Sequence, residues 1–339
     1  MRKKLKIFVI IVNALFITLI ATACGENSEA AGDDSETEVL RVAFNQNENH
    51  PQYKALESFG EKFNELTDGQ YELEVSPNEL LGGQRETVEL VQSGTIDMAV
   101  VGGSLMENFN QDFVVFNLPY VFDSIEHQMQ VINDQEIVSG LYRSVEDEGM
   151  IIAGGFHGGV RNVYNNQQPV YTPGDMNSLK IRVMESDTNV QMMELMGGIG
   201  TPMGQGEVYT AIQSGVLEGG ENNELIYNEL AHFEVAPYYS LTQHLMVPDY
   251  LIINSDRFNG MSDEYQEIFM EELSAAIDLE VELFDTEVQE AMEAAENAGA
   301  EFNEVDISVF QDEAEPLIQE KLTSETSKEL YEKIREAAE

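Results

Sequence analysis

The chain has 339 residues and a formal net charge of −46, from 17 Lys and Arg against 63 Asp and Glu, which speaks against a nucleic-acid binder because phosphate needs a basic face. An apolar fraction of 42% fits a folded protein, so the acidity belongs to a solvated surface suited to a salty medium. One cysteine, and no Cys/His cluster at ligand spacing, leaves no internal disulfide and no zinc site.

In chain order, Met1 to Lys6 is basic through Arg2, Lys3, Lys4 and Lys6, and Ile7 to Ile20 is an uncharged, mostly apolar run too short for a comfortable membrane span. Residues 1–23 are predicted as a signal peptide. The following Ala21-Thr22-Ala23-Cys24-Gly25 resembles the bacterial lipoprotein box, which implies that Cys24 is lipidated and becomes the new N-terminus. Residues 24–38 read as an acidic flexible tether.

From Val39 the grammar becomes βαβ. Val39–Phe44 and the alternating Tyr71–Val75 are predicted strands around a helix over Tyr53–Leu66. Gln84–Gln92 reads as a helix closed by Ser93-Gly94, and the apolar Ile96–Val101 as a buried parallel strand. Further strands are predicted at Met150–Phe156, Leu179–Val183 and Tyr250–Asn254, and helices at Thr188–Met196 and Glu207–Ser214. Two α/β domains with mainly parallel sheets follow. Asp263 to Gly299 has no Pro and no internal Gly and keeps a helical apolar period, with Ser262 as N-cap and Gly299 as stop. At about 1.5 Å per residue this helix is long enough to lie along both domains.

No nucleophile elbow or phosphate loop is present, and the histidines (His50, His127, His157, His232 and His244) stand at no metal or catalytic spacing. The glycine pairs Gly154-Gly155, Gly158-Gly159 and Gly197-Gly198 read as turns. Arginine is scarce, so Arg182 inside a predicted strand stands out. It needs a partner there, either an internal carboxylate, which the residue pattern favours, or that of a ligand. Asn222 follows an apparent tight turn, Glu218-Gly219-Gly220-Glu221, either as a plain N-cap or where a helix N-terminus offers donors to an anion.

Read together, an ordered series of motifs resembles the solute-binding proteins of tripartite ATP-independent periplasmic (TRAP) transporters, the DctP-type family. The carriers are Leu81-Gly82-Gly83-Gln84-Arg85, Val91-Gln92-Ser93-Gly94-Thr95-Ile96-Asp97-Met98, Phe116-Asn117-Leu118-Pro119-Tyr120, Leu179-Lys180-Ile181-Arg182-Val183, and Ala211-Ile212-Gln213-Ser214-Gly215 running on to Asn222. The resemblance implies a two-domain periplasmic-binding-protein-like α/β fold with a long helix spanning both domains. Domain I is expected over 39–158 and 248–287, and domain II over 159–247 and 288–339.

It also implies that Arg182 grips a ligand carboxylate, with Arg161 as a second basic position. Asn222, Asn223, Asn45 and Gln84 are implied as polar contacts. His50 shares the Asn45 loop and either bonds a hydroxyl or stands in solvent. Gly204-Gln205-Gly206 replaces the aromatic many relatives carry, and Gly102-Gly103 stands where the sialic-acid branch has a glutamate. The expected function is therefore non-catalytic capture of an organic acid, a sugar acid such as a hexuronate ahead of a C4-dicarboxylate or other monocarboxylate. Delivery to small and large permease subunits, at the extracytoplasmic face of the membrane through the lipid anchor, completes the expectation, with no cofactor and no nucleic acid. The competing classes are an enzyme on the same scaffold and an adhesion or structural lipoprotein.

Overall fold

The computed structural model describes residues 37–338, so the predicted signal peptide, most of the tether and Cys24 lie outside the described residues. The strands are β1 (Glu38–Ala43), β2 (Tyr71–Ser76), β3 (Met98–Gly102), β4 (Met150–Phe156), β5 (Arg161–Asn165), β6 (Lys180–Val183), β7 (Ile199–Pro202), β8 (Gly219–Asn222), β9 (Tyr238–Leu245), β10 (Asp249–Asn254) and β11 (Glu301–Glu304). The helices are α1 (Pro51–Leu66), α2 (Gln84–Gln92), α3 (Ile125–Asn133), α4 (Gln135–Arg143), α5 (Asp187–Leu195), α6 (Val208–Gln213), α7 (Glu224–Glu229), α8 (Ser255–Asn259), α9 (Asp263–Ala298), α10 (Ile307–Lys321) and α11 (Glu325–Ala337). Among them, no helix is long and apolar enough to cross a membrane.

Two sheets organise the chain, in the orders β2-β1-β3-β10-β4 and β11-β9-β5-β8-β6-β7. Each is mainly parallel, as expected, with a single reversed strand. In the first, β10 runs antiparallel to both β3 and β4, and in the second β5 runs antiparallel to both β8 and β9. The reason lies in the connections. β4 and β5 are joined by residues 157–160 and β9 and β10 by residues 246–248. These short links carry the chain between the sheets without a crossover helix, so the arriving strand enters against its neighbours. β5 and β10 therefore begin where β1, β3, β6 and β8 end.

The first sheet is buried on both faces. Val42, Val100, Leu251 and Ile253 pack with Phe59 and Phe63 of α1 and Phe269 and Leu273 of α9. Val101, Tyr250 and Ile252 pack on the other side with Val131 and Ile132 of α3 and Leu141 of α4. Gly154 and Gly155 lie inside β4 rather than in a turn: a Cβ at Gly154 would come within 2.9 Å of Ile277 of α9, and one at Gly155 within 2.9 Å of Ile132 of α3. Glycine there lets helices close onto both faces.

α9 is one unbroken helix of 36 residues, as predicted. Ser262 Oγ accepts from the Tyr265 N–H at 3.2 Å, and Gly299 ends the helix with φ 111°. Its first half packs on the first sheet through Phe269, Leu273 and Ile277, while Ala295 reaches the second sheet's core with Tyr239 and Ala300. The final helix departs from the expected boundaries. α11 packs Leu330 and Ile334 into the first sheet's core, and the Ile334 carbonyl bonds His127 Nε2 at 2.7 Å, so residues 325–337 belong beside the first sheet rather than the second.

Candidate functional site

A cavity of about 550 Å³ lies at the C-terminal ends of β1, β3, β6 and β8, the edge at which open α/β sheets place ligands. Asn45, His50, Gln84, Arg161, Arg182, Asn222 and Asn223, seven residues singled out from sequence, all line it.

The two arginines differ in kind. Arg161 opens β5 and is 5% exposed; its Nε and Nη2 bond Glu221 Oε2 and Oε1 at 2.5 and 2.8 Å, and Nη2 also reaches the Glu221 carbonyl at 2.8 Å. Glu221 faces Val163 of β5 across the ladder and is fully buried. Burial works against its charge, but Arg161 outweighs burial and holds the carboxyl at about 2. His244 Nε2 stands 3.5 Å from the same carboxylate. Arg161 is therefore a satisfied ion pair in the wall.

Arg182 sits mid-β6, opposite Gly220 and Thr201, and is also 5% exposed. Its Nε donates to the Met203 carbonyl at 2.8 Å, and no ion pair to it occurs among the described residues. Burial pushes its pKa down, Glu221 partly offsets this and Arg161 adds to it, yet a guanidinium stays charged. The internal carboxylate that the sequence favoured as its partner belongs to Arg161 instead.

Asn222 ends β8 rather than following a turn, which corrects the reading of the two glycines before it. Cβ atoms at Gly219 and Gly220 would come within 2.0 Å of the Tyr164 carbonyl and 2.5 Å of its hydroxyl, so strand β8 lies flush against β5 only with glycine. Asn222 Oδ1 accepts from Arg161 Nη1 at 3.1 Å and from the Asn223 N–H at 2.9 Å. That leaves its amide hydrogens for the cavity. Asn223 is differently employed: Oδ1 caps α7 through the Ile226 N–H at 2.8 Å and Nδ2 bonds the Gly158 carbonyl at 2.9 Å.

From the first sheet, Asn45 follows β1 and Gln84 opens α2, with Gln84 Oε1 accepting from the Gly102 N–H at 3.0 Å and its Nε2 hydrogens left over. His50 is not a solvent-exposed loop residue; it is 2% exposed, packed edge-on against Phe44 and Phe284. It caps α1, Nδ1 accepting from the Gln52 N–H at 3.2 Å. Burial, helped by Lys54, lowers its pKa to about 3, so the neutral ring carries its proton on Nε2 and can only donate from there.

Several lining residues were not found from sequence. Glu79, Glu86, Glu185, Glu207 and Asp249 bring five carboxylates to the cavity, and Gln52 Nε2 donates to Asp249 Oδ2 at 2.9 Å. Burial raises the Asp249 pKa. Nothing local marks these acids among so many. Arg85, the remaining lining arginine, is exposed and stands 3.8 Å from Glu185. The cavity thus offers one buried cation without an ion pair among the described residues, amide and imidazole donors opposite it, and acceptors around the rest.

This architecture is that of an extracellular solute receptor. The profile of the family described as bacterial extracellular solute-binding protein, family 7 (DctP) matches residues 42–325, and the chain belongs to that family. A solute-binding protein of Chromohalobacter salexigens is 36% identical over 269 residues, 79% of this chain and 80% of its own. Among solved structures, a TRAP periplasmic solute-binding protein from Anaerococcus prevotii with bound α/β D-glucuronate has a TM-score of 0.86 at 37% identity, over 89% of this chain and 98% of that one. A second, from Sulfitobacter sp. NAS-14.1 with bound β-D-galacturonate, has a TM-score of 0.83 at 34% identity, over 88% and 100%.

Proposed function

We propose that this protein is the receptor of a TRAP transporter for a hydroxylated monocarboxylate of the hexuronate class. The observation that carries the reading is the division of labour between the arginines: Glu221 neutralises Arg161, leaving Arg182 to meet one carboxylate. The five acids lining the cavity would repel a second carboxylate, as in a C4-dicarboxylate, and accept from hydroxyls. Asn222, Asn45, Gln84 and His50 Nε2 donate to ring or hydroxyl oxygens, while Asn223 holds the wall in place. The glucuronate and galacturonate in similar structures support the same class. No lining group is paired as nucleophile and base, so the ligand is captured and released unchanged to the permease subunits. The lipid on Cys24 holds the receptor at the extracytoplasmic face of the membrane; intact-mass analysis of the native protein should find an acylated N-terminal Cys24, and an unmodified one would remove the anchor.

Titration calorimetry with D-glucuronate, D-galacturonate and succinate tests the reading. Binding of either uronate with recovery of unmodified sugar is expected. Saturable binding of succinate alone, or chemical change of the uronate, would overturn it.

A further inference from the structure

Besides the exposed Arg85–Glu185 pair at 3.8 Å, a second polar contact joins the two sides of the cavity. Gln46, in the connection from β1 to α1, is 7% exposed, and Gln205 lies in the loop after β7. Gln205 Nε2 donates to Gln46 Oε1 at 2.9 Å and Gln46 Nε2 returns a bond to Gln205 Oε1 at 3.4 Å. Both residues line the cavity. This is a reciprocal amide pair, each side chain using one donor and one acceptor on the other.

The Gln205 loop is tied to the clamp. Gly204 has no neighbour within 4 Å of where a Cβ would stand, and a Cβ at Gly206 would come within 2.6 Å of Glu79 Oε2, the tip of a side chain from the first-sheet side of the cavity, so the loop lies close against that side. At its root, the Met203 carbonyl accepts from Arg182 Nε at 2.8 Å and the Met203 N–H donates to the Val183 carbonyl at 3.2 Å. A ligand carboxylate that fixes the plane of the Arg182 guanidinium therefore also fixes the origin of the loop that carries Gln205.

We infer that the Gln46–Gln205 amide pair is the gate of this cavity: it closes over the bound acid, sets its residence time, and is coupled to Arg182 through the Met203 carbonyl. The inference rests on the ligand-binding reading above and adds to it which residues control release. Neutral amides suit a gate, because when the pair opens each amide is rehydrated at little cost, whereas a close charged pair would hold the cavity shut or depend on salt; the Arg85–Glu185 pair, exposed and 3.8 Å apart, is too loose to do so.

The test is a double-mutant cycle on D-glucuronate dissociation, by stopped-flow competition on the full chain. Gln46→Ala and Gln205→Ala should each speed release roughly fivefold, and the double variant should release no faster than either single one. Unchanged rates, or single effects that multiply, would overturn the gate. A second measurement does not depend on the sugar. In a Cys24→Ser chain, Gln46→Cys with Gln205→Cys should be bridged efficiently by a short bismaleimide without ligand, and lack of bridging would overturn the gate. If the parent binds neither uronate, the substrate assignment fails while the bridging result still decides the gate. Where sugar does bind, bridging should trap pre-loaded ligand and exclude ligand added afterwards.

Discussion

Removing the Arg182 side chain should separate binding from stability. In the ligand-free protein its guanidinium is buried with one hydrogen bond, to Met203, and no ion pair among the described residues. A carboxylate at about 4 Å gains on the order of 4 kcal/mol at an effective dielectric of about 20, and a planar fork adds charge-assisted hydrogen bonds of about 1.5–3 kcal/mol. The water-filled mouth and the desolvation of both ions reduce this, so Arg182→Ala should cost about 2–5 kcal/mol of binding, roughly 30- to 4,000-fold in Kd. Arg182→Lys keeps the charge but loses the fork and the Met203 bond, and should cost about 1.5–3 kcal/mol. Because the variant removes an uncompensated buried charge, the ligand-free Tm of Arg182→Ala should hold or rise. Calorimetry with D-glucuronate and a thermal melt on the same samples measure both. An Arg182→Ala protein that binds as tightly as the parent would refute the clamp, and one that binds weakly only because it has unfolded would refute the claim that its charge is uncompensated.

Arg161→Ala should behave in the opposite way, stranding the buried Glu221 carboxylate at a cost of about 3–5 kcal/mol in urea unfolding, while the paired change Arg161→Met with Glu221→Met recovers most of that loss. Glu224, buried and bonded by Asn162 Nδ2 at 2.9 Å, has its pKa raised by burial to about 7. A raised acid favours the fold fully below its unfolded value and loses that contribution as pH rises through about 7. Glu224→Gln should therefore stabilise by about 1–3 kcal/mol at pH 8 and change little at pH 4, and equal effects at both would contradict the shift. With a formal charge of −46 the chain repels an anionic ligand at long range, so raising salt from low values should strengthen uronate binding; a steady weakening would mean the Arg182 contact is exposed.

What the sequence revealed followed from local signals. The apolar run of β4, the period of α2 and the capped, glycine-free stretch of α9 each carry their own evidence, and their bounds agree closely with expectation. β8 was misread because its Gly-Gly-Glu-Asn has no strand-forming side chain; its conformation is imposed by Tyr164 across the ladder. The antiparallel entries of β5 and β10 were hidden for a similar reason, since strand direction depends on where a connection lands. At the site, scarcity of arginine made Arg182 visible, but the Arg161–Glu221 pair joins residues 60 apart in a chain full of acids, and nothing local selects that carboxylate. The capping role of His50 has a readable sign, the Pro51 that follows it and opens α1, whereas its burial against Phe284 comes from a residue far along the chain.

The uninterrupted α9 also has a mechanical consequence. A helix of 36 residues without glycine or proline, fastened to the first sheet through Leu273 and Ile277, to the second sheet's core through Ala295, and between them through Glu280, Phe284 and Glu287, behaves as an elastic beam held along its length. Widening the cavity mouth must flex that beam or shift its side-chain anchors, and a flexed helix stores strain that restores its rest curvature. The receptor would then return to one resting angle after each release, without a chemical energy source, and its recoil would be set by the backbone hydrogen bonds between residues 278 and 294 together with the anchors made there by Glu280, Phe284 and Glu287.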